Sequence, residues 1–352
     1  MAKAVVYALL ATAFILVMVF CPSKQHGHHD HLGLNRRLGF RDHVPVFDPL
    51  VAKMERYAEE NGLGGQTHNL DLVEHSPMMD TSEVEEVHEY FSDEGKLNLT
   101  LRLLSLFPLI DQAPKDSYIS SNELKHWLTQ QAVERLNYRT QKEMESYDKD
   151  GDGNISFSEY QPKFSSQDIK KNGMEHGEAG WWKQQFDNAD ADKNGTLTFN
   201  EFKDLLHPED SNNSDIHKWL LAEKMKRMDQ DDDGKLNFME FSHNAYDSFK
   251  SYVEFETGGV KAPTAEEKFA ELDLNKDNLL EVEELKPLLH YLHPGELSYS
   301  NYYASFLMSE ADDNKDGKLT LDEMLDHDYV FYSTVYDAGV NDDNEEDYHD
   351  EF

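Results

Sequence analysis

Along this chain, apolar residues three apart run directly into stretches dominated by acids, and the pattern returns five times. The entering pairs are Met144 and Tyr147, Phe186 and Ala189, Met225 and Met228, Phe269 and Leu272, and Met308 and Ala311. After three of the acidic stretches a second pair follows at the same spacing: Phe157 and Tyr160, Phe199 and Phe202, Phe238 and Phe241. A spacing of three puts both members on one face of a helix, so the pattern predicts helix–loop–helix units. Within each loop an apolar residue stands at position 8: Ile155, Leu197, Leu236, Leu280 and Leu319. Such a residue suits a brief β-contact with a neighbouring loop. One unit is too small to bury its own apolar stripe, so the units must work in pairs. The predicted fold class is all-α, with short two-stranded pairing between loops.

The loops carry the chemistry. The first regular one reads DKDGDGNISFSE, Asp148 to Glu159. Four acids in so short a loop repel one another unless a cation sits among them. Their spacing is that of an EF-hand, in which oxygens at positions 1, 3, 5, 7, 9 and 12 surround Ca²⁺ and a glycine at 6 makes the turn. Asp148, Asp150 and Asp152 fill positions 1, 3 and 5, the Asn154 carbonyl is position 7, Ser156 acts through water, and Glu159 closes the site. Hard carboxylate and carbonyl oxygens select Ca²⁺, which takes about seven flexible ligands, over the stricter octahedron of Mg²⁺.

Three more loops repeat the pattern with glycine at the turn. Their ligands are Asp190, Asp192, Asn194, Thr196 and Glu201; Asp229, Asp231, Asp233, Lys235 and Glu240; and Asp312, Asn314, Asp316, Lys318 and Glu323. A fifth has Asp273, Asn275, Asp277, Leu279 and Glu284, with Asn278 at the turn and an extra acid, Glu281, at position 9. Asparagine is the non-glycine residue that best tolerates the left-handed turn, so this loop also binds. In every loop the position-7 residue (Asn154, Thr196, Lys235, Leu279, Lys318) contributes its backbone carbonyl. About five Ca²⁺ are therefore expected per chain. A sixth copy, Asp111 to Glu123, has one residue too many, a proline at 114 and no glycine. It reads as a hand kept for pairing rather than for metal. Loop starts at Asp111 and Asp148, Asp190 and Asp229, and Asp273 and Asp312 lie 37 to 39 residues apart, against intervening gaps of 42 and 44. Pairing of sequence neighbours follows, with units at residues 81–165, 175–250 and 262–336 and with Ile119 beside Ile155.

The net charge of −37 argues against nucleic acid as a partner. An apolar run, Ala4 to Cys21, has the form of a secretory signal within residues 1–23, an uncleaved membrane anchor being the alternative. Cys21 is the one cysteine, so disulfides do not hold the fold. Residues 24–80 read as a largely disordered linker, with a short helix starting at Asp48-Pro49 and ending before Asn61-Gly62. The tract HGHHDH at His26 to His31 offers transition-metal ligands, although such tracts are more often solvated linker. A second short helix is expected from Ser82, with Glu85 completing a capping box. Asn98 and Asn212 are glycan acceptors outside the loops, whereas Asn154 and Asn194 sit within them. The four tryptophans are assigned to core. Residues 337–352 form an acidic tail ending in HDEF, one apolar residue away from the HDEL retention address.

A signal-like start, six hands with a degenerate first, and a terminal HDEF together resemble the reticulocalbin–calumenin (CREC) family over roughly residues 84–352. The resemblance implies a calcium-binding protein of the secretory-pathway lumen that buffers calcium or regulates client proteins, with a retrieval receptor reading the C-terminus. Client identity does not transfer, and the His-rich segment matches no family motif. A sensor that opens an apolar groove is the second reading. Catalysis is not expected: the six hands leave no stretch long enough for a catalytic domain, and no nucleophile–base or phosphate-loop motif is evident.

Overall fold

The computed structural model describes residues 46–60, 97–164, 178–256 and 261–336. The expectations for the leading apolar run, the histidine tract, the helix from Ser82 and the HDEF tail lie outside these residues. No helix among the described residues is long and apolar enough to cross a membrane.

The chain is mostly helical. Helix α1 spans Pro49–Glu60, where the Asp48-Pro49 start foretold it, and α2 spans Leu99–Ile110. Strand β1 (Ile119–Ser120) leads directly into the long α3 (Ser121–Tyr147), and β2 (Ile155–Ser156) into the short α4 (Phe157–Tyr160). The next units follow the same plan: α5 (Glu178–Ala189), β3 (Thr196–Leu197) and α6 (Phe199–Leu206), then α7 (Ser214–Met228), β4 (Leu236–Asn237) and α8 (Phe238–Glu240). After a π-turn come α9 (Tyr246–Glu256), α10 (Ala265–Leu272), β5 (Leu279–Leu280) and α11 (Leu289–Leu292). The last unit is α12 (Glu296–Ala311), β6 (Lys318–Leu319), α13 (Leu321–Asp326) and α14 (Asp328–Tyr336).

The strand register corrects the expected partners. Ile119 pairs with Leu319, Ile155 with Leu197, and Leu236 with Leu280, all antiparallel. Sequence neighbours 111 and 148 are therefore not partners, and Ile119 does not meet Ile155. The reason is α3. Its 27 residues form one unbroken helix of about 40 Å at 1.5 Å per residue, so its two flanking loops stand at opposite ends. The second loop turns instead to the third, the fourth to the fifth, and the last returns to the first. Two buried clusters agree with this register. One joins Met144, Ile155 and Phe157 to Phe186, Leu197 and Phe202; the other joins Met225, Met228 and Phe241 to Phe269, Leu272 and Leu280. The expected stripe residues do form the cores, in different pairs.

Helices α3 and α12 pack along each other. Arg139 donates to Glu296 at 2.9 Å and Arg135 lies 3.5 Å from the same oxygen, while the Thr129 and Ser300 hydroxyls meet at 3.2 Å. At the N-terminus of α12, the Asp210 carboxylate accepts from the Glu296 and Leu297 amides at 2.8 and 2.9 Å.

The segment leading into α1 docks where the first and last hands meet. Asp48 is fully buried and accepts from Arg102 Nε and Nη2 at 2.8 and 2.6 Å, from the Tyr332 hydroxyl at 2.8 Å and from the Leu50 amide at 2.8 Å. The Trp127 indole donates to the Phe47 carbonyl at 2.8 Å, and the Phe47 ring packs against Phe331 and Tyr332. Burial, with Asp48 beside it, holds the Tyr332 phenol far above its ordinary pKa. Trp127 is core, and Trp182 and Trp219 border the cluster of the second and third hands. Trp181 departs from the expectation: it stands 39% exposed, edge-on to both of them.

Candidate calcium-binding loops

One hydrogen-bond framework recurs in the loops. The position-1 aspartate accepts from the amides at positions 5 and 6: Asp190 from Asn194 and Gly195 at 3.1 and 2.8 Å, and Asp229 from Asp233 and Gly234 at 3.3 and 2.8 Å. Asp273 accepts from Asp277 and Asn278 at 3.2 and 3.0 Å, and Asp312 from Asp316 and Gly317 at 3.2 and 2.8 Å. Asp148 takes the Gly153 amide at 3.0 Å and that of Gly151 at 2.7 Å. The turn residue has positive φ in each case, +62° at Asn278, where the glycine of the other loops is missing. The left-handed residue makes the sharp turn between the position-5 and position-7 ligands, and asparagine's tolerance of that region preserves the turn in loop 273–284.

The closing glutamate is held from two sides. Glu159 accepts from the Lys149 amide at 3.1 Å and the Ser156 amide at 2.8 Å; Glu240 accepts from Gln230 and Asn237 at 2.8 and 2.9 Å; Glu284 accepts from Leu274 and Glu281 at 3.0 and 2.9 Å. Ser156, Asn237 and Thr320 at position 9 are also helix N-caps, with the position-12 glutamate completing a capping box. The same residue thus starts the exit helix and closes the metal loop. The Ser156 hydroxyl and amide hold Glu159 below its ordinary pKa, and the Thr320 amide and hydroxyl do so for Glu323. Desolvation, with Asp233 nearby, raises the pKa of Asp231 above its ordinary value.

Carboxylate oxygens of Asp148, Asp150 and Glu159 lie within 4.8 Å of one another, as do those of Asp190, Asp192 and Glu201, and of Asp229, Asp231 and Glu240. That spacing and an all-oxygen donor set fit Ca²⁺. In the other two regular loops position 3 is an amide: Asn275 Oδ1 accepts from the Asp277 amide and Asn314 Oδ1 from the Asp316 amide, both at 2.8 Å. The position-5 side chains turn onto the position-7 amides: Asp152 to Asn154 and Asn194 to Thr196 at 2.7 Å, Asp233 to Lys235 at 2.8 Å, Asp277 to Leu279 and Asp316 to Lys318 at 2.9 Å.

The irregular loop 111–123 keeps this framework despite its extra residue. Asp111 accepts from Asp116 and Ser117 at 3.3 and 3.0 Å, and Glu123 accepts from Gln112, Ala113 and Ser120 at 3.1, 3.1 and 2.9 Å. Ser117 has φ of +65° and takes the place of the turn glycine. It stands two residues before Ile119, as each turn residue stands before its own apolar partner, and that spacing was the available signal. Also missed were the side chains of Lys235 and Lys318, which cross their ribbons to acids of the partner loop. Asn212, an expected glycan acceptor, is exposed; Asn98 caps α2 by accepting from the Leu101 amide at 3.1 Å.

A helix–loop–helix chain with repeated acidic loops of this geometry is an EF-hand calcium-binding protein. The model for an EF-hand domain pair matches residues 181–246 and 264–327, and that for a single EF hand matches 142–161. Its homologues are the 45 kDa calcium-binding proteins and reticulocalbin-2, of the CREC group. The 45 kDa calcium-binding protein of Xenopus tropicalis is 25% identical over 271 residues, 70% of this chain and 72% of that one. That of Mus musculus is 26% identical over 255 residues, 65% and 68% of the two chains. Reticulocalbin-2 of Crotalus adamanteus is 25% identical over 307 residues, 82% of this chain and 95% of its own. Among solved structures, a homolog of programmed cell death 6 protein from Leishmania major Friedlin covers 56% of this chain at 17% identity and a TM-score of 0.19, too loose a superposition to bear on arrangement.

Proposed function

We propose that this chain binds about five Ca²⁺ in the lumen of the secretory pathway, acting as a low-affinity buffer, as a calcium-dependent chaperone or regulator of client proteins, or as both. The observation that carries the reading is the hydrogen-bond framework shared by the loops starting at Asp148, Asp190, Asp229, Asp273 and Asp312, the first three of which bring three carboxylates within 4.8 Å of one another. Loop 111–123 carries an extra residue and Pro114, its Asp116 carboxylate is taken by the Tyr118 amide and Lys318, and it serves as a structural partner for the last hand. The charge supports a calcium-coupled fold: without Lys3 and the signal the chain stands at −38, and five ions would bring it to about −28. No catalytic role is proposed.

The sensor reading is less well supported. Met144, Met225, Met228, Met308 and Met324 are all buried, filling cores rather than lining an open groove. An apolar stripe is nevertheless exposed on α2, at Leu101, Leu104 and Leu109, and it supports a role toward clients beyond buffering. Native mass spectrometry at saturating calcium is expected to show about five specific ions; six, or three or fewer, would overturn the count. Calcium-dependent suppression of reduced-insulin aggregation tests the client role, and no suppression at saturating calcium would leave a buffer alone.

A further inference from the structure

An EF-hand uses only the backbone carbonyl of position 7, which leaves that side chain without a required part in metal binding. In loop 229–240 it is Lys235, whose Nζ crosses the ribbon to Asp277 Oδ2 at 3.2 Å and Glu281 Oε1 at 2.9 Å. In loop 312–323 it is Lys318, whose Nζ crosses its own ribbon to Asp116 Oδ2 at 3.1 Å and lies 5.0 Å from the centre of the Tyr118 ring. The two contacts are equivalent. Asp277 stands three residues before Leu280, and Asp116 three before Ile119, the apolar residue of each partner strand. The third ribbon carries Asn154 and Thr196 at these places.

We propose that Lys235 is a built-in competitor of calcium at loop 273–284, so that this loop fills at a higher calcium concentration than its carboxylates alone would set. The proposal rests on reading that loop as a calcium site. Asp273, Asp277, Glu281 and Glu284 give it four acids at ligand positions, as many as loops 148–159 and 229–240 have there. Two of the four are held by the Lys235 ammonium in charge-assisted hydrogen bonds, which must break or stretch before those oxygens turn inward. A displaced ammonium stays tethered to the ribbon and repels a divalent ion at close range. Lys235, Asp277 and Glu281 are all partly solvated, so screening limits the effect to several-fold, about tenfold at most. The device also links two loops: the residue whose carbonyl faces one site carries the ammonium that occupies the other.

The test is calcium titration calorimetry on the full chain, comparing wild type with K235Q and K235R, each alone and combined with E284Q, which removes the closing carboxylate of loop 273–284. K235Q should tighten one site several-fold, K235R should restore the weaker site because it keeps the charge, and the gain should vanish with E284Q. An isotherm unchanged by K235Q overturns the proposal. So does a gain that survives E284Q, since it would place the effect in loop 229–240. Failure of the underlying reading of loop 273–284 looks different: E284Q alone, titrated beside the others, would then leave the number of bound ions unchanged, whereas one ion lost in E284Q with an isotherm unchanged by K235Q overturns only the competition.

Discussion

Asp48→Ala should be among the most costly single substitutions in this chain. The Asp48 carboxylate is sealed from solvent and receives four hydrogen bonds, two from Arg102, one from Tyr332 and one from the Leu50 amide. Alanine would leave the buried Arg102 guanidinium without its carboxylate, a change that typically costs about 3–5 kcal/mol. Loss of the cap on α1 adds about 1 kcal/mol. Against a total stability of about 5–15 kcal/mol for a folded domain, the protein has a cheaper response, which is to release the segment and let water reach Arg102. Burial of Val46, Phe47, Leu50, Val51 and Met54 opposes release, at about 1.5–3 kcal/mol gross for each side chain. The entropy of ordering the segment offsets most of that gain. Hydrogen exchange at saturating calcium should therefore show residues 46–60 losing protection in D48A, while loops 148–159 and 190–201 keep theirs. D48A/R102M, which removes both charges, should recover most of the docking, because an apolar pair leaves no buried ion behind. Unchanged protection of 46–60 in D48A, with a stability loss under about 1 kcal/mol, would refute this account of the latch.

Leu319→Asp places a carboxylate against Ile119 at a fully buried strand pair, and should loosen loops 111–123 and 312–323 by several kcal/mol while sparing loop 148–159. Calcium titration distinguishes the sites, and a weakened loop 148–159 would mean that the sequence-neighbour pairing was right after all. Glu123→Gln should leave the number of bound ions unchanged, and loss of one ion by native mass spectrometry would make loop 111–123 a working site. In calcium-free protein, Glu159 and Glu323 have folded pKa values below the ordinary glutamate range. Their contribution to stability is therefore present above that range and lost as pH falls through the folded values, so acid melts followed by circular dichroism should show it disappearing on the acid side only. Deleting residues 349–352 should raise secretion from cells, and unchanged secretion would show that HDEF is not read.

The loop framework was legible because EF-hand chemistry ties residue type to position: an acid out of place cannot reach the ion, and a turn residue without access to positive φ breaks the loop. Asn278 illustrates the tolerance of that code and Ser117 its reach, since neither loop has the glycine yet both fold to the same framework. The Asp48 latch was not legible, because its partners lie 54 and 284 residues away and nothing local marks them.

Pairing was hidden for a different reason. Every loop offers an apolar residue four before its closing glutamate, so any two can form the ribbon, and the short gap of 37 residues between Asp111 and Asp148 made these two look like natural partners. The deciding feature is the uninterrupted stretch Ser121–Tyr147, which contains neither glycine nor proline and forms one helix too long for its end loops to meet. Residues 161–177, by contrast, contain Pro162, Gly173 and Gly177, and residues 257–263 contain Gly258, Gly259 and Pro263. These breakers fall in the two longest gaps, between the loops that do pair. Once the first two loops are held apart, pairing the second with the third and the fourth with the fifth leaves only the first and the last, and parity brings the ends of the hand array together. The irregular first loop then has a clear physical part. It completes the ribbon of the last hand, contributes the helix that carries Arg102, and so joins the docked segment at Asp48 to a lobe whose other half is the regular loop 312–323.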